Sequence, residues 1–301
     1  MKKILVIYYS QTGQTETAVK SILSTMTKTI KIDFQRIMPE KDYPFPWEVD
    51  SFLEVMPESV LEKPISVKPL LGIEEKYDLI ILGYQPWFLS ISLPMLSFLQ
   101  SEQAKNLLKG QPVLTIITCR NMWVNAQGCM KEHLDVFDAT LVGNIVLDDK
   151  HSNAVSFITV VRWLICGNKK GNFLLPAAGV SDKSINEACR FGPVIEEYLE
   201  SCNLQLLDNA LQDLGSIPNR PELALYEKNA YKRFRVFAKF LSREEKGLPR
   251  QKKLRIFMYA LFLVSIITFP IVALIEIVMN LKRKIWPRTR IIPSRKRNIL
   301  K

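Results

Sequence analysis

The chain opens on a buried-strand pattern that runs directly into a hydroxyl-rich turn, Ile4-Leu5-Val6-Ile7-Tyr8-Tyr9-Ser10-Gln11-Thr12-Gly13-Gln14-Thr15. The first six of these residues are apolar without alternation, which is typical of a strand that is covered on both faces. Residues 17–26 then carry apolar side chains at helical spacing. We therefore expect the turn at the carboxyl end of a buried strand, where open α/β sheets bind their ligands.

The composition of this turn suits a phosphate group. It supplies three hydroxyls around the flexible Gly13. Backbone N–H groups at the start of the next helix point into such a turn, and the helix dipole favours an anion there. The alternative is an ordinary capped helix start, with Thr12 or Thr15 as the N-cap. The predicted phosphate-binding residues are Ser10, Gln11, Thr12, Gly13, Gln14 and Thr15.

Residues 10–15 resemble the phosphate loop of flavodoxins, which has the pattern hydroxyl-x-Thr-Gly-x-Thr directly after the first strand. In that family the loop holds the phosphate of FMN, so the resemblance implies FMN as the cofactor. The turn lacks the Gly-Lys-Ser/Thr ending of a nucleotide P-loop and the glycine spacing of a dinucleotide site.

Four further strand patterns follow, at residues 31–37, 77–83, 112–119 and 140–147. Because they alternate with helical patterns, they predict a doubly wound α/β fold. We expect a flavodoxin-like, five-stranded parallel sheet of order 2-1-3-4-5 within residues 1–205. Two segments of this domain, residues 39–76 and 149–183, are longer than ordinary connections and are expected to shape a substrate site. The alternative for the aromatic residues of 39–76 is that they pack as a plain satellite cluster.

An aromatic loop follows the third predicted strand. Pro86, Trp87 and Phe88 lead to Pro94 and a helical pattern. This run resembles the loop that cradles the isoalloxazine ring in flavodoxin-like NAD(P)H:quinone reductases. Such a ring needs a flat apolar face and backbone N–H donors, so we expect it to contact Trp87 or Phe88. The alternative is that both side chains only cover the edge of the sheet.

A third loop, Asn121, Met122 and Trp123, follows the fourth predicted strand and is expected to face the same crevice. In flavodoxins the matching loop stacks an aromatic ring on the other flavin face, and the resemblance implies this role for Trp123. Two residues are candidates for proton transfer. His151 is the one imidazole expected near the carboxyl ends of the strands, with a surface histidine as the alternative. Tyr84 is the other candidate.

The number and spacing of the cysteines and histidines argue against a disulfide-stabilised or zinc-stabilised fold. The 301 residues include 5 cysteines without a Cys-x-x-Cys pair and 2 histidines, so we expect neither a disulfide framework nor a zinc site. Cys129 and His133 lie four positions apart on a helical pattern, but two ligands are too few for a metal site. The chain runs from Met1 directly into a core strand without a signal-peptide pattern, which predicts a cytoplasmic domain.

Basic residues are concentrated at the carboxyl end of the chain. Of the 41 Lys and Arg residues 20 lie after position 220, against 5 of the 30 acidic residues. Residues 206–255 are expected to form a basic amphipathic linker or helix. For its basic aromatic part, residues 222–246, nucleic-acid binding is the alternative, but the adjacent apolar run favours the membrane surface. This uneven distribution predicts an enzyme-like domain followed by an attachment region.

The attachment region contains an uncharged run of 20 residues, 256–275, which is long enough to span a bilayer core as a helix. Basic residues flank the run, so 256–281 predict a membrane-associated helical tail, followed by a basic end at 282–301. A single span would carry that basic end across the membrane, against the positive-inside rule. We therefore expect a re-entrant helix pair on the cytoplasmic side of the inner membrane, with a spanning helix as the alternative.

Several of these motifs together carry a closer resemblance: Tyr43-Pro44-Phe45-Pro46-Trp47, the loops at Pro86 and Asn121, and Gly179-Val180-Ser181 with the basic apolar tail. They resemble the flavodoxin-like family associated with bacterial dialkylresorcinol and flexirubin-type pigment biosynthesis. The resemblance implies an FMN-dependent oxidoreductase that aromatises a dialkyl cyclohexanedione to a dialkylresorcinol.

The sequence leaves other functions open. They are an NAD(P)H:quinone reductase-like enzyme, a flavodoxin-like electron carrier and a non-catalytic membrane scaffold. The expected partners are a small apolar substrate and the membrane, with no nucleic acid, and a homodimer is left open.

Overall fold

The computed structural model describes residues 1–261 except 28, 75 and 245, together with residues 263 and 278. One compact unit runs from Met1 to Arg255, and a second begins at Ile256. Most of the predicted membrane segment, 256–281, and all of the basic end, 282–301, lie outside the described residues. Within the described part, no helix combines the length and apolar character that crossing a membrane requires.

The centre of the compact unit is a parallel sheet. Its strands are β1 (Lys3–Tyr8), β2 (Lys31–Arg36), β3 (Leu79–Tyr84), β6 (Pro112–Cys119) and β7 (Thr140–Asp148). A separate antiparallel hairpin consists of β4 (Pro86–Trp87) and β5 (Ser90–Ile91). The sheet order is β2-β1-β3-β6-β7, with every pair parallel. This is the flavodoxin-like order expected from the sequence, once the two hairpin strands are counted in the numbering.

Helices cover both faces of the sheet. They are α1 (Gln14–Leu23), α2 (Val49–Val60), α3 (Leu93–Leu99), α4 (Glu102–Leu108), α5 (Val124–Val136), α6 (Asn153–Cys166), α7 (Asp182–Glu187), α8 (Phe191–Glu200), α9 (Leu207–Asp213) and α10 (Pro221–Leu241). Successive strand residues point to opposite faces, so β1 sends Ile4 and Val6 into one buried cluster and Leu5 and Ile7 into the other. Burial on both faces explains the uninterrupted apolar runs of the central strands.

The last helix of the doubly wound unit differs from the single helix that the pattern at residues 184–202 predicts. The structure has α7, a 3-10 turn at Ala188–Arg190, and then α8. At this break α8 approaches α1 closely, because a Cβ at Gly192 would lie 2.3 Å from Thr25 Oγ1 and 2.4 Å from the Ile22 carbonyl oxygen. The close approach requires glycine.

The two long connections contact each other. The 39–76 connection contains α2, and the 149–183 insertion contains α6. The Trp47 N–H donates to the Leu164 carbonyl at 2.8 Å, and the Phe45 and Trp163 rings meet edge to face at 6.2 Å. Both connections therefore form one wall instead of two independent loops.

Residues 206–255, expected to form a basic amphipathic linker or helix, contain the helix α10, and they pack on the domain. Helix α9 packs on β7, and α10 packs against α2 and α5. One side of α10 is buried through Leu223, Tyr231, Ala238 and Leu241. A linker would leave these apolar side chains in water, so their burial holds α10 in the compact unit.

Candidate functional site

The predicted phosphate loop lies at the carboxyl end of β1, and α1 begins inside it. Gly13 occupies the N-cap position with a left-handed φ of 80°, and the first helical residue is Gln14. A glycine takes this conformation without steric cost. The alternative prediction of Thr12 or Thr15 as the N-cap is wrong, because α1 has no side-chain cap at that position and the Ser10 hydroxyl accepts from the Glu16 N–H at 3.3 Å.

This loop presents a run of unused donors. Among the described residues, the backbone N–H groups of residues 12–15 and the Thr12 hydroxyl have no hydrogen-bond partner. Helix bonding starts only with the Thr17 N–H, which donates to the Gly13 carbonyl at 3.0 Å. Unused N–H groups at the positive end of a helix are the usual donors for a phosphate.

Hydrogen bonds that are buried or partly buried join this loop to the ends of two neighbouring strands. The Thr15 hydroxyl lies 2.6 Å from the Thr118 hydroxyl at the end of β6, and it donates to Gln85 Oε1 at 2.9 Å. The Gln11 N–H also approaches Gln85 Oε1, at 3.4 Å. The structure thus brings the first loop together with the ends of β3 and β6, as predicted. Gln85 was missed, although a polar residue directly after a buried strand is a signal for it.

The two glutamines of the loop hold the long connections. The Gln14 amide pairs with Val180 in both directions, donating to its carbonyl at 2.9 Å and accepting from its N–H at 3.1 Å. Gly179, with φ 75°, makes room, because a Cβ there would lie 2.8 Å from Gln14 Oε1. Gln11 Nε2 donates to the carbonyls of Tyr43 and Pro44 at 3.3 and 3.2 Å. Because the Gln14 side chain is engaged in this way, only its main-chain N–H is left for a ligand.

Trp87 stands in an aromatic cluster. Its ring meets those of Tyr9, Tyr43 and Trp47 edge to face, at centroid distances of 5.7, 5.1 and 5.5 Å. Tyr43 and Trp47 come from the 39–76 connection, so this connection covers the aromatic loop after β3. Edge-to-face contacts at these distances stabilise the ring positions. Trp87 is therefore held at the crevice, and its contact with a flavin stays a prediction.

The predicted contact residue Phe88 sits at the tip of the hairpin that begins at Pro86. Phe88 and Leu89 both have positive φ, 47° and 66°, as the central residues of a two-residue hairpin turn. The Phe88 ring packs on Phe52 with centroids 5.0 Å apart, and the Leu89 carbonyl accepts from Asn125 Nδ2 at 2.9 Å. These contacts hold a strained turn beside the crevice.

The third predicted loop, after β6, is tied to α6. Asn121 is buried and donates through Nδ2 to the Ser156 hydroxyl at 3.1 Å, while its Oδ1 is buried without a partner in the described part. Arg120 donates to the Asn153 carbonyl at 2.7 Å, and Met122 Sδ lies 3.4 Å from the same guanidinium. Burial lowers the pKa of Arg120 to about 10, so the group stays charged at neutral pH. The loop therefore combines a positive charge with one unused buried acceptor.

Trp123 immediately precedes α5, and a carboxylate from α10 holds this point. Glu227 is buried and accepts from the N–H groups of Val124 at 3.2 Å and Asn125 at 2.8 Å. Burial raises the pKa of Glu227, although these N–H donors oppose the shift. Nothing in the local sequence links Glu227 to a loop about one hundred residues earlier, so sequence reasoning missed it.

The two candidates for proton transfer have different surroundings. Tyr84 is fully buried, its hydroxyl donates to Gln127 at 2.7 Å, and burial raises its pKa well above the usual range. This phenol is poorly placed to exchange protons with solvent. His151 is partly exposed, with Nδ1 2.6 Å from Oδ1 of the buried Asp149. Asp149 orients the ring and was missed, although it lies two positions away; catalysis by either candidate stays a prediction.

The chain matches no protein-family model and no curated protein. It is similar to a flavoprotein from Lactobacillus acidophilus NCFM solved in complex with FMN, at 20% identity over 48% of this chain and 93% of that one, with a TM-score of 0.40. It is also similar to a flavodoxin from the domain Archaea, at 15% identity over 66% and 99% of the two chains and a TM-score of 0.36. An azoreductase from Bacillus anthracis str. Sterne is similar at 10% identity over 64% of this chain and 99% of that one, with a TM-score of 0.34. These values assign no residue role and no activity to this chain.

Proposed function

We propose that this chain binds FMN at the carboxyl ends of β1, β3 and β6 and acts as an FMN-dependent oxidoreductase. One observation carries the proposal: the four backbone N–H groups of residues 12–15 and the Thr12 hydroxyl have no partner in the part of the chain that the structure describes. They lie where the sheet order turns from β1–β2 to β1–β3, the place at which this fold type binds FMN. A phosphate would satisfy these donors.

The other two loops fit the remaining parts of FMN. A flavin ring has an apolar face, which the Trp87 ring would contact, and an N–H edge, for which the unused Asn121 Oδ1 is a matching acceptor. Arg120, charged and close to Met122, favours electron-rich groups nearby. Bound FMN would supply hydride and electron transfer, while the protein supplies binding and orientation.

The substrate that suits this site is a small apolar ring compound. The wall formed by the two long connections is rich in aromatic rings, among them Tyr43, Trp47 and Trp163. The specific reaction that we propose is the aromatising oxidation of a dialkyl cyclohexanedione to a dialkylresorcinol. Such an oxidation also needs a base for one proton. His151, with Nδ1 held by Asp149, leaves Nε2 for that purpose.

A titration with FMN tests cofactor binding. The purified full chain should bind FMN with absorption bands near about 375 and 450 nm, the ordinary bands of oxidised flavin. Thr12→Asp should weaken FMN binding at least about tenfold, because its carboxylate occupies the anion site and repels the phosphate. The fold should survive, since an acidic residue suits a helix start.

The matched control is Thr140→Asp, the same change at an exposed residue where β7 begins, at the opposite edge of the sheet. It should bind FMN as the wild type does. Unchanged binding by Thr12→Asp would place the cofactor elsewhere, and a chain that leaves FMN unbound would remove the proposal. Turnover of alkyl cyclohexanediones or quinones without a protein partner then separates an enzyme from an electron carrier.

We also propose that residues 256–281 attach the chain to the cytoplasmic side of the inner membrane. The support is the uncharged run with basic residues on both sides. Ser294→Cys, probed with a membrane-impermeant thiol reagent in intact and opened cells, tests the topology. Labelling only in opened cells is expected, and labelling of intact cells would contradict the re-entrant arrangement.

A further inference from the structure

Helix α10 has a second face, which remains exposed. The first face is buried against α2 and α5. The opposite face carries five neighbouring side chains that line a shallow, open surface: Lys232, Arg233, Val236, Phe237 and Phe240. We name these five residues the α10 patch. Val236 is 71% exposed and Phe240 is 50% exposed, so apolar surface and positive charge lie side by side in water.

The cations of this region are available for a partner. Among the described residues, Lys232 and Arg233 form no ion pair with a carboxylate, and neither does the neighbouring Lys239. Lys253 also lies beside the patch, with its ammonium 5.0 Å from the centroid of the Phe240 ring, but it is ion-paired with Glu244 and is not counted among the available cations. Glu227, an acidic residue of α10, faces the other way and is buried at the start of α5. The patch is therefore strongly basic.

The segment after α10 is fixed firmly to the domain. Arg250 is almost fully buried and pairs with Glu54 at 3.0 Å and with Glu58 at 2.8 Å, both on α2. Residues 248–255 are helical and bring Lys253 alongside Phe240. The α10 patch is thus a surface with fixed geometry within the compact unit 1–255.

We propose that the α10 patch binds the surface of an anionic lipid bilayer. Exposed aliphatic and aromatic side chains between unpaired Lys and Arg are the pattern of helices that lie in a membrane interface. Anionic headgroups would pair with Lys232 and Arg233, while Val236 and Phe240 would enter the headgroup boundary. A nucleic acid would also attract the cations, but it offers no apolar environment for Val236. The uncharged run 256–275 follows the domain directly.

Binding in this manner would bring the proposed site close to the bilayer. The same helix carries Glu227, which accepts two N–H groups at the start of α5 beside Trp123. A site held at the lipid surface suits an apolar substrate. The lipid-binding proposal itself does not depend on FMN, because its test measures only the partition of protein between water and lipid.

The test uses the full chain with phosphatidylcholine vesicles that contain, or lack, roughly one-third phosphatidylserine. Co-sedimentation with the anionic vesicles is expected to fall about tenfold or more in the double variant Lys232→Glu, Arg233→Glu, since each cation near such a surface contributes about fivefold. Val236→Asp should also weaken partition. Its matched control is Val136→Asp, the same change at the 78% exposed end of α5, which should not. Because the tail is present in every variant, its contribution cancels in the ratios.

A second measurement keeps the test independent of folding. A tryptophan introduced as Val236→Trp should be quenched by brominated lipids beyond the wild-type level, whereas Val136→Trp should not. Equal partition of all variants, or no added quenching at position 236, would overturn the proposal. So would binding of a single-stranded oligonucleotide that depends on Lys232 and Arg233 while vesicle binding does not, because this result would assign the patch to nucleic acid.

Discussion

Gln14 joins parts of the chain that are far apart in sequence. Its amide makes two hydrogen bonds with Val180, so one side chain fastens the end of the 149–183 insertion to the start of α1. Gln14→Ala should lower the free energy of unfolding by about 1–3 kcal/mol, because it leaves the Val180 N–H and carbonyl unsatisfied. Urea denaturation measures this change.

The control for this prediction is Gln35→Ala, which removes one exposed hydrogen bond to the Leu71 carbonyl. It should cost less than about 1 kcal/mol. If the two variants lose the same stability, the Gln14 pair does not hold the insertion.

Glu227 should make stability depend on pH in a specific direction. Burial raises its pKa, so the folded state holds the Glu227 proton more tightly than the unfolded state does. Stability must then fall as pH rises from the ordinary glutamate pKa to the raised value. Glu227→Gln lacks this titration, and its amide oxygen can still accept from one of the two α5 N–H groups, so the comparison uses the change of stability with pH and not its absolute value. The variant should therefore gain stability relative to the wild type as pH rises through this window.

Urea denaturation at a series of pH values checks this expectation. The same substitution at the exposed Glu102 serves as the control, and its stability should follow the wild-type curve. Parallel curves for Glu227→Gln and the wild type would mean that the carboxylate is not perturbed by burial.

At the scale of elements, two helical glycines differ in whether a neighbouring helix lies close enough to exclude a side chain. Gly192→Ala should destabilise the protein by about 1–3 kcal/mol, because the new methyl group would collide with the α1 backbone at Ile22. Gly128→Ala, on α5, meets no atom within 4 Å and should stabilise by about 0.5–1 kcal/mol through helix propensity. Thermal or urea unfolding of both variants distinguishes them, and equal effects would contradict the close contact of α1 and α8.

The elements differ in how well the sequence predicts them. Strands β1, β3, β6 and β7 were predictable because burial on both faces leaves apolar runs, and the pattern at 112–119 matches β6 residue for residue. The start of α1 was not predictable. Gly13 takes the N-cap position through its left-handed backbone conformation instead of a side-chain hydroxyl, and the spacing of residue types in the sequence does not indicate this conformation. The packing of α10 was also missed. The many Lys and Arg residues of α10 obscure the apolar spacing of its buried face. In addition, Glu227 accepts a hydrogen bond from a residue that is distant in sequence.

The site likewise has a part that the sequence predicts and a part that it does not. The meeting of the first three loops was predictable, because parallel strands end at one edge of the sheet. Gln85 and Asp149 could be suspected from their positions just after buried strands, but their roles could not be predicted, because they depend on a hydrogen bond to Thr15 in one case and to His151 in the other. Such contacts are decided by side-chain directions, which a sequence pattern does not contain.

At the scale of the whole molecule, one buried ion pair cluster connects the carboxyl-terminal helices to the domain. Arg250 is 4% exposed between Glu54 and Glu58. Arg250→Met should destabilise the protein by about 3–5 kcal/mol, because two partly buried carboxylates lose their cation. Arg243→Met, at an exposed position, should change stability by less than about 0.5 kcal/mol. A similar loss of stability in both variants would mean that the ion pairs of Arg250 contribute no more to stability than an exposed arginine does.

The central claim is that the unused donors of residues 12–15 bind the phosphate of FMN. Calorimetric titration of the wild-type chain with FMN and with riboflavin, which differs only by lacking the phosphate, tests it most directly. The structure predicts that FMN binds about 100-fold or more tightly than riboflavin, since several charge-assisted hydrogen bonds depend on the phosphate. Equal affinities for the two flavins, or no binding of either, would contradict the claim.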